Sequence, residues 1–263
     1  MNILEDKRLL LVDGHAVAFH CWYTSEPPSV VDGFEDMVDA ALERNGSSHL
    51  IIAFDPPPPT FRHHLWPSYK EGRPPVEEEF LQECETVRDD LDATQTIHIT
   101  VEGYEADDVI GTVAKIAEAK GFHTTIFTVD MDLLQLVTDS TDVEAFSQYH
   151  GLRSFDKDAV IRRFAGLSPG NVPDFKALVG DRSDNLPGIP GIGATSAGHI
   201  FQAAENLEEI YGGLKSIESM GFRGSKRVAS LLAEHREQAF LMRKLTTIVK
   251  DLEIDLDLEL AAT

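Results

Sequence analysis

At 263 residues, with 42% hydrophobic and 26% charged side chains, the chain has the apolar mass for a packed core and too much of it for a disordered one. Its two cysteines, Cys21 and Cys84, lie far apart without CxxC spacing, which excludes a disulfide framework and a zinc knuckle and fits a reducing compartment. A formal net charge of -22, from 45 acidic against 23 basic residues, repels polyanions at long range unless basic residues are concentrated or metal ions intervene; otherwise it reads as a solubility feature.

The opening, MNILEDKRLLLVDG, sets acidic residues before a short apolar run, which fits neither a signal peptide nor a bilayer span. A cytoplasmic protein with no membrane partner is expected. RLLLVD (8–13), HLIIAFD (49–55), QTIHITV (95–101) and TTIFTVD (124–130) read as strands separated by helical stretches, predicting an α/β fold with a mostly parallel central sheet and flanking crossover helices. DPPPPT (55–60) makes a stiff exit from the second strand. Val109, Ile110, Val113, Ile116 and Ala117 recur at helical spacing, with Gly121 at the stop position. From about residue 168 the chain turns Gly- and Pro-rich and then helical, which divides it into a core over 1–168 and a smaller helical region over 169–263. For the tail DLEIDLDLELAAT, a strand and a frayed end both stay open.

Three of the four strand-like runs end in Asp, at Asp13, Asp55 and Asp130. Ligands of open α/β sheets bind beyond the carboxyl ends of the strands, so these side chains should be neighbours. Glu105, Asp107 and Asp108 crowd a helix start, and Asp132, Asp181 and Asp184 stand in two further acidic motifs. Each taken singly fits a cap or a turn. Together they repel, by about 4 kcal/mol for each pair some 4 Å apart at an effective dielectric of 20, so a cation belongs among them. Oxygen-only ligation selects a hard ion such as Mg²⁺ or Mn²⁺, and two such ions can clamp a phosphodiester and activate water. On a regular helix Glu105 and Asp108 share a face while Asp107 points away, so the three need not ligate one ion.

In order and spacing, LLVDG (10–14), FRHHLWPSYKEGRPP (61–75), GYEADDVIGT (103–112), DMDLLQLV (130–137) and VPDFKALVGDRSDNLPGIPGIG (172–193) resemble the 5′ nuclease, or flap endonuclease, family. The closest likeness is to the exonuclease domain of bacterial DNA polymerase I and its free-standing relatives, over nearly the whole chain. The resemblance implies a PIN/resolvase-like nuclease core, a helical arch at about 60–95 and a C-terminal helix-hairpin-helix element in a three-helix variant. It further implies a first metal group of Asp13, Asp55, Glu105, Asp107 and Asp108 and a second of Asp130, Asp132, Asp181 and Asp184. These would hold two Mg²⁺ ions, with Mn²⁺ as a substitute and K⁺ on the hairpin carbonyls.

By the same likeness, Lys70, Asp107 and Asp130 are the catalytic residues. DNA contacts fall to His20, Arg62, Tyr69, Lys70 and Arg73, and to Gly188, Gly191, Ile192 and Gly193 of the hairpin. The implied activity is a monomeric, free-standing 5′-3′ exonuclease or flap endonuclease acting on DNA where a 5′ single strand meets duplex. A non-catalytic branched-DNA binding module and a related Asp-rich ribonuclease are the alternatives. Phe19-His20 replaces the family's usual Tyr-Arg, Val129 and Met131 replace Gly and Lys, and Thr195 replaces a Lys. These departures weaken the expected grip on DNA, not the metal site.

Overall fold

The structure, a computed structural model, describes residues 7–147, 151–164 and 166–263. The first six residues, part of the opening read for a leader, lie outside them. The chain divides into two compact units. One takes in the chain up to Thr60, Pro74–Asp156 and Ile248–Thr263; the other takes in Phe61–Arg73 and Lys157–Thr247.

The first unit is built on six strands: β1 (Arg8–Asp13), β2 (His49–Ala53), β3 (His98–Ile99), β4 (His123–Thr128), β5 (Thr141–Ser147) and β6 (Gly151–Phe155). Their spatial order is β3-β2-β1-β4-β5-β6, with every neighbouring pair parallel except β5 and β6. Because β2 and β4 lie on opposite sides of β1, the strand order reverses there, and a crevice opens at the carboxyl ends of these strands. Leu9 to Val12 and Ile51 to Ala53 are fully buried, as continuous apolar runs must be when a sheet is covered on both faces.

The first five helices are α1 (Gly14–Thr24), α2 (Val31–Asn45), α3 (Phe61–Leu65), α4 (Glu78–Ala93) and α5 (Ala106–Ala119), of which α3 belongs to the second unit. Phe80, Cys84, Val87 and Leu91 of α4 recur at helical spacing and share one core with Phe34, Val38 and Phe54. Burying Phe80 alone contributes about 2–3 kcal/mol. Within the span of about 60–95 that the likeness gives to an arch, α4 packs one face into the core of the first unit and Phe61–Arg73 folds with the second.

The second unit adds α6 (Lys157–Arg163), α7 (Val172–Val179), α8 (Ala194–Ile200), α9 (Leu207–Gly212), α10 (Leu214–Glu218), α11 (Ser225–Glu234) and α12 (Arg236–Thr246). Leu178, Ile189, Ile200, Ile210, Leu232 and Met242 form its core, and Tyr69 joins them. Among the described residues no helix is long and apolar enough to cross a membrane.

The C-terminal segment is neither a strand nor a frayed end. After α12 it returns to the first unit, bridges His49 through Ala262 and closes a 3₁₀ turn at Leu258–Ala261. The Thr263 amide donates to the Ser48 carbonyl at 3.1 Å, and Lys7 pairs with Glu259.

Candidate active site

Asp13 ends β1 and caps α1, its Oδ1 accepting from the Ala16 amide at 3.0 Å and its Oδ2 from the Thr128 hydroxyl at 2.8 Å. The same Thr128 oxygen accepts from the Asp130 amide at 2.9 Å, and Asp130 Oδ1 accepts from the Asp132 amide at 2.8 Å. Thr128, buried at the end of β4, thus locks the two strand-end aspartates to each other. Asp55 lies two residues beyond β2. Its Oδ1 accepts from the Ala106 amide at 2.7 Å, at the first turn of α5, and its own amide donates to His15 Nδ1 at 2.9 Å. Four elements are in this way tied at one end of the sheet by hydrogen bonds that run through the carboxylates themselves.

Glu105 caps α5 and forms a capping box with Asp108, while Asp107 lies between them in the first turn. Burial first, then Asp130, Asp13, Glu105 and Asp55, hold the Asp107 carboxyl well above the usual range. Burial and then Asp55 push Asp13 up to about 7, with Asp130 adding to the rise and the bonds from Ala16 and Thr128 opposing it. These five carboxylates share one electrostatic field. Among the described residues no three His, Cys, Asp or Glu side chains form a ready ligand cage. Crowded oxygen donors, of which Asp13 and Asp107 resist ionisation, are nevertheless the donor chemistry of a hard divalent cation.

Asp108 stands differently. It is fully buried, with Oδ1 accepting from the Val249 amide at 2.8 Å and Oδ2 from the Glu105 amide at 3.2 Å. Both oxygens accept from backbone amides, one at the start of α5 and one in the segment after α12.

Asp130 and Asp132 lie in the first unit, and Asp181 and Asp184 in the second. Asp181 sits 2.7 Å from Lys176 Nζ and accepts from the Ser183 amide at 2.8 Å. Burial raises its pKa, but Lys176 and the bonds from Lys176 and Ser183 outweigh this and hold it at about 2. Asp184 accepts from Tyr69 Oη at 3.1 Å and pairs with Arg73 at 2.7 Å. Lys70 donates its amide to the Asp184 carbonyl at 3.0 Å, takes a left-handed φ of 55° and sets its ammonium 5.1 Å from the Tyr69 ring centroid. Arg62, expected on DNA, is buried and donates to the carbonyls of Leu245 at 2.9 Å and Thr247 at 3.3 Å. Tyr69 is buried too. Both are therefore corrected from DNA contacts to packing residues.

In the hairpin, the Ile192 side chain packs into the core of the second unit. Gly188 has φ 61°, and a Cβ there would come within 2.3 Å of the Gly180 nitrogen, so this glycine serves a close backbone approach within the fold. Gly191 lies under Arg227, and Gly193 precedes α8. His20 packs edge-on against Phe146, with ring centroids 5.2 Å apart, and burial lowers its pKa. Thr128 and His15 went unread in the sequence. Their only signal was position, two residues before Asp130 and directly after the LLVDG run.

A family model described as the 5′-3′ exonuclease N-terminal resolvase-like domain matches residues 8–165, and one described as the 5′-3′ exonuclease C-terminal SAM fold matches residues 167–263. The chain belongs to the 5′-3′ exonuclease family. Among curated relatives, DNA polymerase I of Chloroflexus aurantiacus is 38% identical over 266 residues, covering 96% of this chain and 27% of the relative. DNA polymerase I of Bacillus subtilis is 34% identical over 259 residues, covering 95% and 29%. The chain spans less than a third of the length of these relatives. Among solved structures, T5 5′-exonuclease with bound zinc superposes with a TM-score of 0.75 at 22% identity, covering 91% of this chain and 89% of that one. The catalytic core of Rad2 in complex with DNA substrate gives 0.58 at 17%, covering 94% and 84%. At these identities the likeness shows the fold: a mostly parallel nuclease sheet with flanking helices and a helical C-terminal region.

Proposed function

We propose that this exonuclease-family chain is a divalent-metal-dependent 5′ nuclease that hydrolyses DNA phosphodiesters where a 5′ single strand meets duplex, with Mg²⁺ as its ion and Mn²⁺ as a substitute. One observation carries the reading. Asp13, Asp55, Glu105, Asp107 and Asp130 share a field at the carboxyl ends of β1, β2 and β4, with burial and mutual repulsion raising the pKa of Asp13 and Asp107. Family membership and the DNA-bound Rad2 core of like fold support DNA as the substrate.

A divalent ion on such a shelf lowers the pKa of bound water and neutralises the phosphoryl oxygens of an in-line displacement. Asp107 and Asp130 would supply its oxygen ligands, and the Asp107 carboxyl, held above its usual range, would give up its proton in doing so. Asp13 and Asp55 hold their orientation through Thr128, Ala16 and Ala106. The family likeness gives Lys70, a residue of the second unit, the part of an ammonium for charge developing on the phosphoryl oxygens in the transition state.

A labelled 5′-flapped duplex, incubated with Mg²⁺ or with EDTA, tests the proposal. Cleavage should require Mg²⁺, and Asp107→Ala or Asp130→Ala should lower it by about a hundredfold or more while DNA binding persists. Lys70→Ala should slow the chemical step; a change confined to binding would limit it to grip. Wild-type binding without cleavage under either condition would make the chain a branched-DNA binding module. Preference for an RNA flap would make it a ribonuclease.

A further inference from the structure

The segment after α12 is fastened to the first unit by three of its own amides. Ile248 donates to Gln135 Oε1 at 3.0 Å, Val249 to Asp108 Oδ1 at 2.8 Å, and Leu252 to Thr112 Oγ1 at 3.3 Å. Contact is close enough that a Cβ on Gly111 would lie 2.6 Å from Ile248 Cγ2 and 2.9 Å from the Val249 carbonyl oxygen. Asp108 and Gln135, both buried, each have a second bond that reaches toward the acidic shelf. Asp108 Oδ2 takes the amide of Glu105, and Gln135 Nε2 donates to the carbonyl of Asp132 at 3.0 Å.

The strap at 248–252 is thereby connected, through one side chain each, to the two acid-bearing segments of the shelf: the start of α5 and the 3₁₀ turn Met131–Leu136. We propose that Asp108 and Gln135 are positioning residues that use this strap to set the spacing of Glu105 and Asp107 against Asp130 and Asp132, and that Asp108 is not itself a metal ligand. The inference rests on the metal-site reading above, and it removes from the ligand set a carboxylate that lies next to a ligand in sequence.

Stability without metal separates the two roles by sign. Removing a carboxylate from a repelling cluster stabilises the metal-free fold, whereas removing an acceptor from buried amides destabilises it. In EDTA, Asp107→Asn should therefore unfold at a higher temperature than wild type, and Asp108→Asn and Gln135→Met at one lower by roughly 5 °C. In calorimetric titration with Mn²⁺, Asp107→Asn should lose affinity and an equivalent of bound ion. Asp108→Asn and Gln135→Met should keep the wild-type stoichiometry with affinity weakened roughly tenfold.

An Asp108→Asn protein that is stabilised in EDTA and binds one ion fewer would make Asp108 a ligand and overturn the proposal. A lowered unfolding temperature with unchanged Mn²⁺ affinity in both Asp108→Asn and Gln135→Met would also overturn it, leaving the strap merely structural. Wild-type protein that binds no Mn²⁺ would overturn the metal-site reading and positioning with it; the melts in EDTA would still read the strap on its own.

Discussion

Asp13 has an ordinary value of 3.8 and, in the fold, is pushed up to about 7 by burial and by Asp55, so between those values the native state holds a proton that the unfolded chain gives up. The stabilisation this confers is greatest at the acid end of the window and is lost as pH rises through about 7. Melting curves in EDTA from about pH 5 to about pH 8 should accordingly fall with pH, and saturating Mn²⁺ should reverse the trend. His20 is shifted the other way by burial and is uncharged at neutral pH, so it adds no phosphate attraction. His20→Arg should steepen the dependence of log K for DNA on log salt by about one unit; an unchanged slope would remove position 20 from the DNA path. The strand-end aspartates were legible because chain order and strand polarity dictate where they go. Arg62 was not: a cation beside aromatics reads alike on a surface and in a core, and only the fold shows it bonded to Leu245 and Thr247. Arg62→Ala should cost stability, about 3 kcal/mol by denaturant titration, for the two carbonyls it leaves without their donor.

Among the elements, β1, β2, β4 and α5 followed directly from apolar runs and helical spacing. β5 escaped notice because TDVEAFS carries two acids in a buried strand, and the partner that makes this tolerable, Arg44, lies 2.7 Å from Glu144 but 100 positions away in sequence. The same limit hid the packing of α4, which the family likeness placed within an arch and whose Phe80, Cys84, Val87 and Leu91 line its buried side. The turn around Gly188 gives the sharpest test at this scale. With φ 61° and the Gly180 backbone in the way, Gly188→Ala should destabilise the protein by several kcal/mol, on the order of 3. Urea unfolding with no loss of midpoint would show that the 180–188 backbone packing is looser than described.

Over the whole molecule, the excess of acid was plain in composition, but how the charges are divided was not. In the second unit Asp181 and Asp184 are met by Lys176 and Arg73, whereas Asp13 and Asp107 in the first owe their raised pKa to burial first and then to other carboxylates. Nor could the sequence show that 248–263 leaves the C-terminal helices to join the sheet, because three backbone amides, which carry no sequence letter, make that attachment. A net charge of -22 should make the metal-free fold salt-sensitive: its unfolding temperature should rise by several degrees between about 0.01 M and about 1 M NaCl, as the Debye length shrinks from ~30 Å to ~3 Å. The most direct measurement is a calorimetric titration of metal-free protein with Mn²⁺ near pH 6.5, in two buffers of different ionisation heat. Saturable binding with protons expelled from the carboxylates, a release that disappears near pH 9, is the predicted result. Absence of saturable binding, or binding that expels no protons at either pH, would contradict the claim that these strand-end acids are held ready for a divalent ion.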